Sequence, residues 1–297
     1  MRRARVTYQG AYHHVMNRGI LGKNIFQKEE SKKYFLTILK EKAALHRIKI
    51  LAYCIMDNHY HLILQNTSNK LTEFIKQINA QYGTYYRKSH GGRGYVFQDR
   101  YKSTLIQKDK YLRTALCYLL LNPVRAGIAK VPGRYKWTSM REYFTNRKGG
   151  ITDKAEVEGI YRTNTGLIRY MESMEGKELE ERHTRIGMVL GDEGFIEKAF
   201  ELYERRGKRK GTRRQRISDY IFEPVEKVIK EFEKETDCRL KDINTTTWPG
   251  KRLRGMLLVR LKEEVGLKYG EILKMPLFKE LKYNSMGELY RRAKEKN

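Results

Sequence analysis

The chain has 297 residues, with 62 Lys and Arg against 35 Asp and Glu and a formal net charge of +27. Such an excess favours a polyanionic partner, nucleic acid first, and disfavours a small neutral substrate acting alone. No apolar segment approaches the roughly 20 residues that span a bilayer and no signal peptide opens the chain, so a soluble, cytoplasmic protein of about two domains is expected, with no membrane partner.

The elements follow in chain order. A strand is predicted around Tyr12 to Met16, and a helix from Glu29 to His46, where Tyr34, Phe35, Ile38, Leu39 and Ala43 recur at helical spacing. Strands Lys49 to Met56 and Tyr60 to Gln65 flank the turn signal Asp57-Asn58. A helix over Leu71 to Arg87, a strand over Ser103 to Gln107 and a helix over Tyr111 to Asn122 complete a βαβ, βαβ order. The Asn122-Pro123 step is expected to stop that last helix. The order suggests an α+β unit, a ferredoxin-like split βαβ with an antiparallel central sheet, because a tight turn joins the two central strands. Residues 150 to 204 read as helical and amphipathic. Arg205 to Arg216 is a basic, glycine-containing run that reads as a linker or nucleic-acid arm. Val225 to Phe232, Leu253 to Val265, Tyr269 to Lys274 and Met286 to Ala293 form a second, all-α unit with a helix-turn-helix outline, whose last helix region carries Lys282, Asn284, Ser285, Arg291 and Arg292. The expected division is residues 1–149, a helical connector with a basic linker over 150–216, and a DNA-binding domain over 217–297. Cys54, Cys117 and Cys238 form no paired-thiol motif and are expected to be buried, reduced thiols.

Chemistry concentrates in four places. His59 and His61 sit two apart in a predicted strand, so both rings share one face at the mouth of the sheet and can reach one ion; two polar positions on an exposed strand would read the same way. The third ligand is either Asn122, four residues after Tyr118 and on its helical face, or one of His13 and His14, which face opposite ways on the first strand. Two neutral imidazoles and an amide oxygen suit a divalent cation that also holds a phosphate oxygen, Mg2+ or Mn2+. Tyr118 is the candidate nucleophile, although a tyrosine among Leu112, Leu116, Leu119 and Leu120 equally suits a core position. Between them, Tyr82 to Lys102 interleaves aromatic and basic residues (Tyr82, Tyr85, Tyr86, Arg87, Arg93, Tyr95, Phe97, Arg100, Tyr101, Lys102) around a glycine turn, a composition that suits single strands. Arg18 and Arg125 are further candidate nucleic-acid contacts.

The runs YHHVMNRG from Tyr12, AYCIMDNHYHLIL from Ala52, GYVFQDRYK from Gly94 and YLLLNPVRAG from Tyr118, in that order, resemble the REP-associated tyrosine transposases of the HUH single-strand nuclease superfamily over about residues 5 to 145. The resemblance implies a metal-dependent endonuclease and strand transferase acting on single-stranded or hairpin DNA. His59 and His61 would hold the ion, Tyr118 would form the 5′-phosphotyrosine link and Asn122 would complete the metal shell. Relatives commonly have proline where this chain has Asp57, which would either add a carboxylate near the ion or alter the turn. RLRGMLLVRLKEEVGLKYGEI and YNSMGELYRRAKE resemble, more loosely, the duplex-binding helix-turn-helix domain that ends the bacterial initiator DnaA. The rival readings are a catalytically silent DNA-binding regulator and an RNA-binding protein. One chain does not distinguish a monomer from a homodimer.

Overall fold

A computed structural model describes residues 6–108, 110–143, 149–174, 176–206 and 221–295; most of the basic run Arg205 to Arg216 lies outside the described residues. The elements in order are β1 (Ala11–Arg18), α1 (Glu29–His46), β2 (Lys49–Ile55), β3 (His59–Asn66), α2 (Leu71–His90), β4 (Lys102–Ile106), α3 (Lys110–Arg125), α4 (Met140–Tyr143), α5 (Lys154–Tyr161), α6 (Asn164–Ser173), β5 (Arg182–Thr184), β6 (Gly187–Leu190) and α7 (Glu193–Arg206). Then come α8 (Val225–Thr236), α9 (Trp248–Glu263), α10 (Tyr269–Ile272) and α11 (Tyr283–Glu295). The described residues fall into two compact units, the first within Met1–Glu181 and Ile186–Arg209, the second within Arg182–Arg185 and Lys210–Asn297.

The fold is α+β. Its sheet runs β2-β3-β1-β4-β6-β5, and the β2-β3-β1-β4 portion is antiparallel throughout, as the split βαβ reading expects. Each β-α-β crossover leaves room for one antiparallel strand, so β3 slots beside β1 and β2 closes onto β3 through the Asp57-Asn58 turn, where the Met56 N–H donates to the His59 carbonyl. Two cores flank the sheet. On one face, α1 and α2 bury Phe35, Ile38, Leu39, Phe74, Ile75 and Ile78 against Val15, Leu62 and Leu64. On the other, α3 buries Leu112, Leu116, Leu119 and Leu120 against Tyr12, Cys54 and Ile63, joined by Val157 and Tyr161 of α5 and Leu167 and Met171 of α6.

Three expectations change. β5 and β6 interrupt the region expected to be wholly helical, and β6 pairs in parallel with β4 from Thr104↔Met188 to Ile106↔Leu190. A four-residue strand shows too few alternations for a period-2 pattern to register, and only its partner β4 makes it a strand. Second, α3 runs on through Pro123 to Arg125. A proline at this place removes the N–H that would bond to the Leu119 carbonyl, but the Asn122 side-chain Nδ2 donates to that carbonyl at 3.2 Å and keeps it satisfied. Third, Cys238 is only half-buried, whereas Cys54 and Cys117 are fully buried, their thiols pushed up to about 12 by desolvation.

In the second unit, α8, α9, α10 and α11 enclose a core of Phe232, Leu257, Leu258, Leu261, Ile272, Phe278 and Met286. α9 starts where the Thr247 hydroxyl accepts from the Gly250 N–H, a side-chain cap with Pro249 in the first turn. Arg260 ties α9 to α8 through Glu231 and Glu235 and to its own helix through Glu264. No helix among the described residues is long and apolar enough to cross a membrane.

The α1/α2 face is anchored by an aromatic cluster in which Phe35 packs on Phe26 at 5.1 Å, Tyr60 at 4.8 Å and Tyr82 at 5.4 Å between ring centroids. Phe35→Ala leaves a cavity among these rings and should cost about 3–5 kcal/mol, read as a lowered urea midpoint with an unchanged slope.

Candidate catalytic and nucleic-acid site

Strand alternation decides which histidines meet. In the β1/β3 ladder His14 lies opposite Ile63, Met16 opposite His61 and Arg18 opposite His59, so His14, His59, His61 and Arg18 project from the same side as Ile63, the side that α3 covers. His13 projects to the other side. There it is fully buried, bonded through its two ring nitrogens to Thr7 at 2.9 Å and Ser103 at 3.0 Å, and desolvation holds it neutral with a pKa of about 3. It is therefore excluded as a ligand, and His14 is the first-strand histidine that belongs to the site.

His59 and His61 stand edge to face with centroids 4.8 Å apart. Burial lowers the pKa of both; for His61 the neighbouring His14 and His59 add to the effect, and for His59 the Arg18 guanidinium does. Both are thus neutral, the protonation state a metal ligand needs. Each also has its Nδ1 engaged. His59 Nδ1–H donates to the Asn58 side-chain oxygen, which fixes that tautomer and leaves the lone pair on Nε2. His61 Nδ1 shares a hydrogen bond of 2.9 Å with His14 Nε2, the two rings stacking at 5.1 Å. Metal-binding imidazoles are typically held in this way, by an outer partner on the nitrogen that does not ligate. The donor set therefore fits a divalent cation, with His59 and His61 as the residues that would hold it. His14 is an orienting residue that motif reading had offered only as a rival ligand; strand parity on β1 was the signal for it.

Among the described residues no group of three His, Cys, Asp or Glu side chains is arranged to hold a metal. Asn122 bonds to Leu119 of its own helix, through the amide nitrogen, and no hydrogen bond among the described residues links it to the histidines. Asp57 does not supply a carboxylate. It turns to the α1 face, where its Oδ1 accepts from the buried Lys32 ammonium at 2.6 Å, so in this chain the residue neutralises a core cation.

Tyr118 sits on α3 and is half-buried. Its hydroxyl donates to Glu178 Oε2 at 3.4 Å, and the Arg125 guanidinium, 4.0 Å from the ring centroid, covers its face. Desolvation raises the phenol pKa first and the Glu178 carboxylate adds to the rise, while Arg125 opposes it. Arg125, a candidate nucleic-acid contact by sequence, also donates to the Lys177 carbonyl and lies 3.9 Å from Glu178. Residues 176–181 reach both ends of the site. Glu178 meets Tyr118, Leu179 packs on the α3 core, and Glu181 accepts from Thr104 at 3.0 Å and lies 3.8 Å from His14 Nδ1. No motif flagged these two glutamates.

The aromatic and basic segment divides into two sets. Tyr82 and Tyr101 are buried, the former donating to the Ile25 carbonyl and the latter paired with Thr72, so neither can stack on a base; both belong to the α1/α2 core. Tyr85 and Tyr86 are half-buried and stacked on Tyr34 at 4.0 Å and on His90 at 4.4 Å. Tyr95 is 84% exposed, and Arg93, Arg100 and Lys102 are exposed with it. This stretch is pinned to the sheet mouth: Ile20 N–H donates to Val96, Gln98 N–H to Arg18, and Arg18 Nε donates to the Gln98 side chain at 2.6 Å. Arg87 donates to the Gly94 carbonyl. In the second unit Lys282, Asn284, Ser285, Arg291 and Arg292 are all exposed at the start of and along α11, with Arg292 paired to Glu288.

Residues 7–121, which contain β1 through Tyr118, match the family model described as "Transposase IS200 like". No curated protein matches the chain. Among solved structures, one of a REP-associated tyrosine transposase bound to a REP hairpin is similar at 16% identity, over 52% of this chain and 93% of that one, with a TM-score of 0.42. A putative transposase from Deinococcus radiodurans R1 is similar at 16% identity, over 43% and 92%, with a TM-score of 0.29. β1, the two-histidine strand β3 and Tyr118 of α3 all lie inside the span, residues 7–121, over which this chain matches the IS200-like transposase model.

Proposed function

We propose that this protein is a single-strand DNA endonuclease and strand transferase that works through a covalent 5′-phosphotyrosine at Tyr118 and a divalent ion, Mg2+ or Mn2+, held by His59 and His61, with the Asn122 carbonyl oxygen as the third protein ligand. The observation that carries this reading is a pair of neutral imidazoles, His61 buried and His59 half-buried, whose Nδ1 atoms are both engaged, on the sheet face covered by the tyrosine helix. When bound, the ion supplies charge neutralisation for the scissile phosphate. His14 and Asn58 orient the two imidazoles. Tyr118 provides the attacking oxygen. Joining reverses the cut, because the phosphotyrosine ester retains the energy of the phosphodiester, and no nucleotide cofactor is needed.

Tyr95, Arg18, Arg93, Arg100 and Lys102 line the mouth of the sheet as an aromatic and basic surface for a single strand or hairpin, with Tyr85, Tyr86 and Arg87 beside it. The second unit would bind duplex DNA through Lys282, Asn284, Ser285, Arg291 and Arg292, with phosphate contacts dominating. A catalytically silent regulator is the alternative that the covalent test removes.

Incubated with labelled single-stranded hairpin DNA and manganese, the wild type should give a denaturant-stable protein-DNA adduct. Tyr118→Phe, His61→Ala or chelation should abolish it; an adduct persisting in Tyr118→Phe refutes the assignment of the nucleophile. Tyr95→Ala should weaken single-strand binding by about 1–3 kcal/mol with an unchanged melting temperature, as measured by fluorescence anisotropy. In the full chain, Arg291→Ala should lower the slope of log affinity for duplex DNA against log salt by about 1. An unchanged slope would remove Arg291 from the interface.

A further inference from the structure

The matched family span ends at Leu121, yet the atom that Tyr118 touches belongs to a residue 60 positions further on. Glu178 lies in the short segment between α6 and β5, and that segment is fixed at three points: Leu179 in the α3 core, the Lys177 carbonyl on Arg125, and Glu181 on Thr104. Its carboxylate is 83% exposed in the side chain, so it exchanges protons with bulk water while its Oε2 accepts from the tyrosine hydroxyl. Arg125 covers the same ring and lies near the same carboxylate. Phenol, carboxylate and guanidinium thus form a three-member cluster.

We propose that Glu178 is a catalytic general base for Tyr118, with Arg125 stabilising the phenolate character that develops on the ring. The inference rests on the reading of Tyr118 as nucleophile. In the ground state the transfer is uphill by about six pKa units, the difference between an ordinary tyrosine and an ordinary glutamate. It therefore accompanies attack: as the Oη–P bond forms, the phenolic proton becomes acidic and passes to Glu178 Oε2. The P–O3′ bond breaks, its electron pair leaves on the 3′ oxygen, and that oxygen takes a proton from water. The hydroxide so produced removes the proton from Glu178, which returns as a carboxylate. Tyr118 ends as the 5′-phosphate ester and the other strand end as a 3′-hydroxyl, with no oxidant or co-reactant consumed.

The arrangement makes a prediction that an electrostatic or merely structural role contradicts. The Glu178 charge works against the phenolate, so removing it alone would favour ionisation of Tyr118 and speed a reaction limited by phenolate supply. A base, when removed, slows it. Glu178→Gln keeps an acceptor of the same shape and should lower the Tyr118 pKa, measured by NMR of 13C-labelled tyrosine assigned with Tyr118→Phe, with Arg125 and Glu181 as the other charged groups facing the phenol. In the same variant adduct formation at pH 7.5 should fall about 100-fold, using full-length protein, manganese and a pool of single-stranded oligonucleotides with a hairpin stem and randomised flanks. Glu178→Asp should recover part of the rate. An equal or faster rate in Glu178→Gln overturns the proposal, as does an unchanged Tyr118 titration, which needs no substrate. Adduct in Tyr118→Phe, by contrast, would overturn the nucleophile itself.

Discussion

Everything chemical in the first unit depends on the antiparallel pairing of β1 with β3. Eight residue pairs, from Ala11↔Asn66 to Arg18↔His59, set which side chains share a face. A slip of one residue in this ladder would turn the projecting residues of one strand over and place His13, not His14, beside His61. The register is protected by what it buries. Val15, Leu62 and Leu64 must meet the α1/α2 core while Tyr12 and Ile63 meet the α3 core, so a slipped strand would expose apolar side chains to the polar rim. Packing on both faces thereby fixes the geometry of two imidazoles that themselves contribute little to stability.

The same economy recurs on α3. Proline at 123 deprives the Leu119 carbonyl of its backbone donor, and the Asn122 amide replaces it. Because that bond uses the nitrogen, it holds the side chain in place and leaves the carboxamide oxygen as the remaining polar end. A helix that ended at Asn122 would have released both Asn122 and Arg125. Continued to Arg125, it instead keeps the guanidinium over the Tyr118 ring. A cation on the ring face and a carboxylate on the hydroxyl pull the phenol pKa in opposite directions, with burial and the carboxylate prevailing.

Much of the aromatic content that reads as a strand-binding surface serves the core. Tyr82 and Tyr101 are buried, with hydroxyls on the Ile25 carbonyl and Thr72. Tyrosine can enter a core when its one polar atom finds a partner, and composition does not reveal whether it has. What remains outward is narrower: Tyr95 with Arg93, Arg100, Lys102 and Arg18, pinned at the sheet mouth by main-chain bonds across Arg18, Ile20, Val96 and Gln98.

The amino-acid sequence alone determined the local order. Helical periodicity placed α1 at its observed ends, alternation and the Asp57-Asn58 turn placed β2 and β3, and the two-residue spacing put His59 and His61 on one face, because each of these follows from contacts within a few residues. Long-range pairing decided the rest. Whether His13 or His14 stands beside His61 depends on which core each strand face meets, and Asp57 turns away from the histidines to a buried lysine of α1. β6 became a strand only against β4, and Glu178 reaches Tyr118 where the partly buried Leu179 packs beside the α3 core. None of these carries a local signature, since each is a contact between residues far apart in the chain whose energy appears only when the cores have formed.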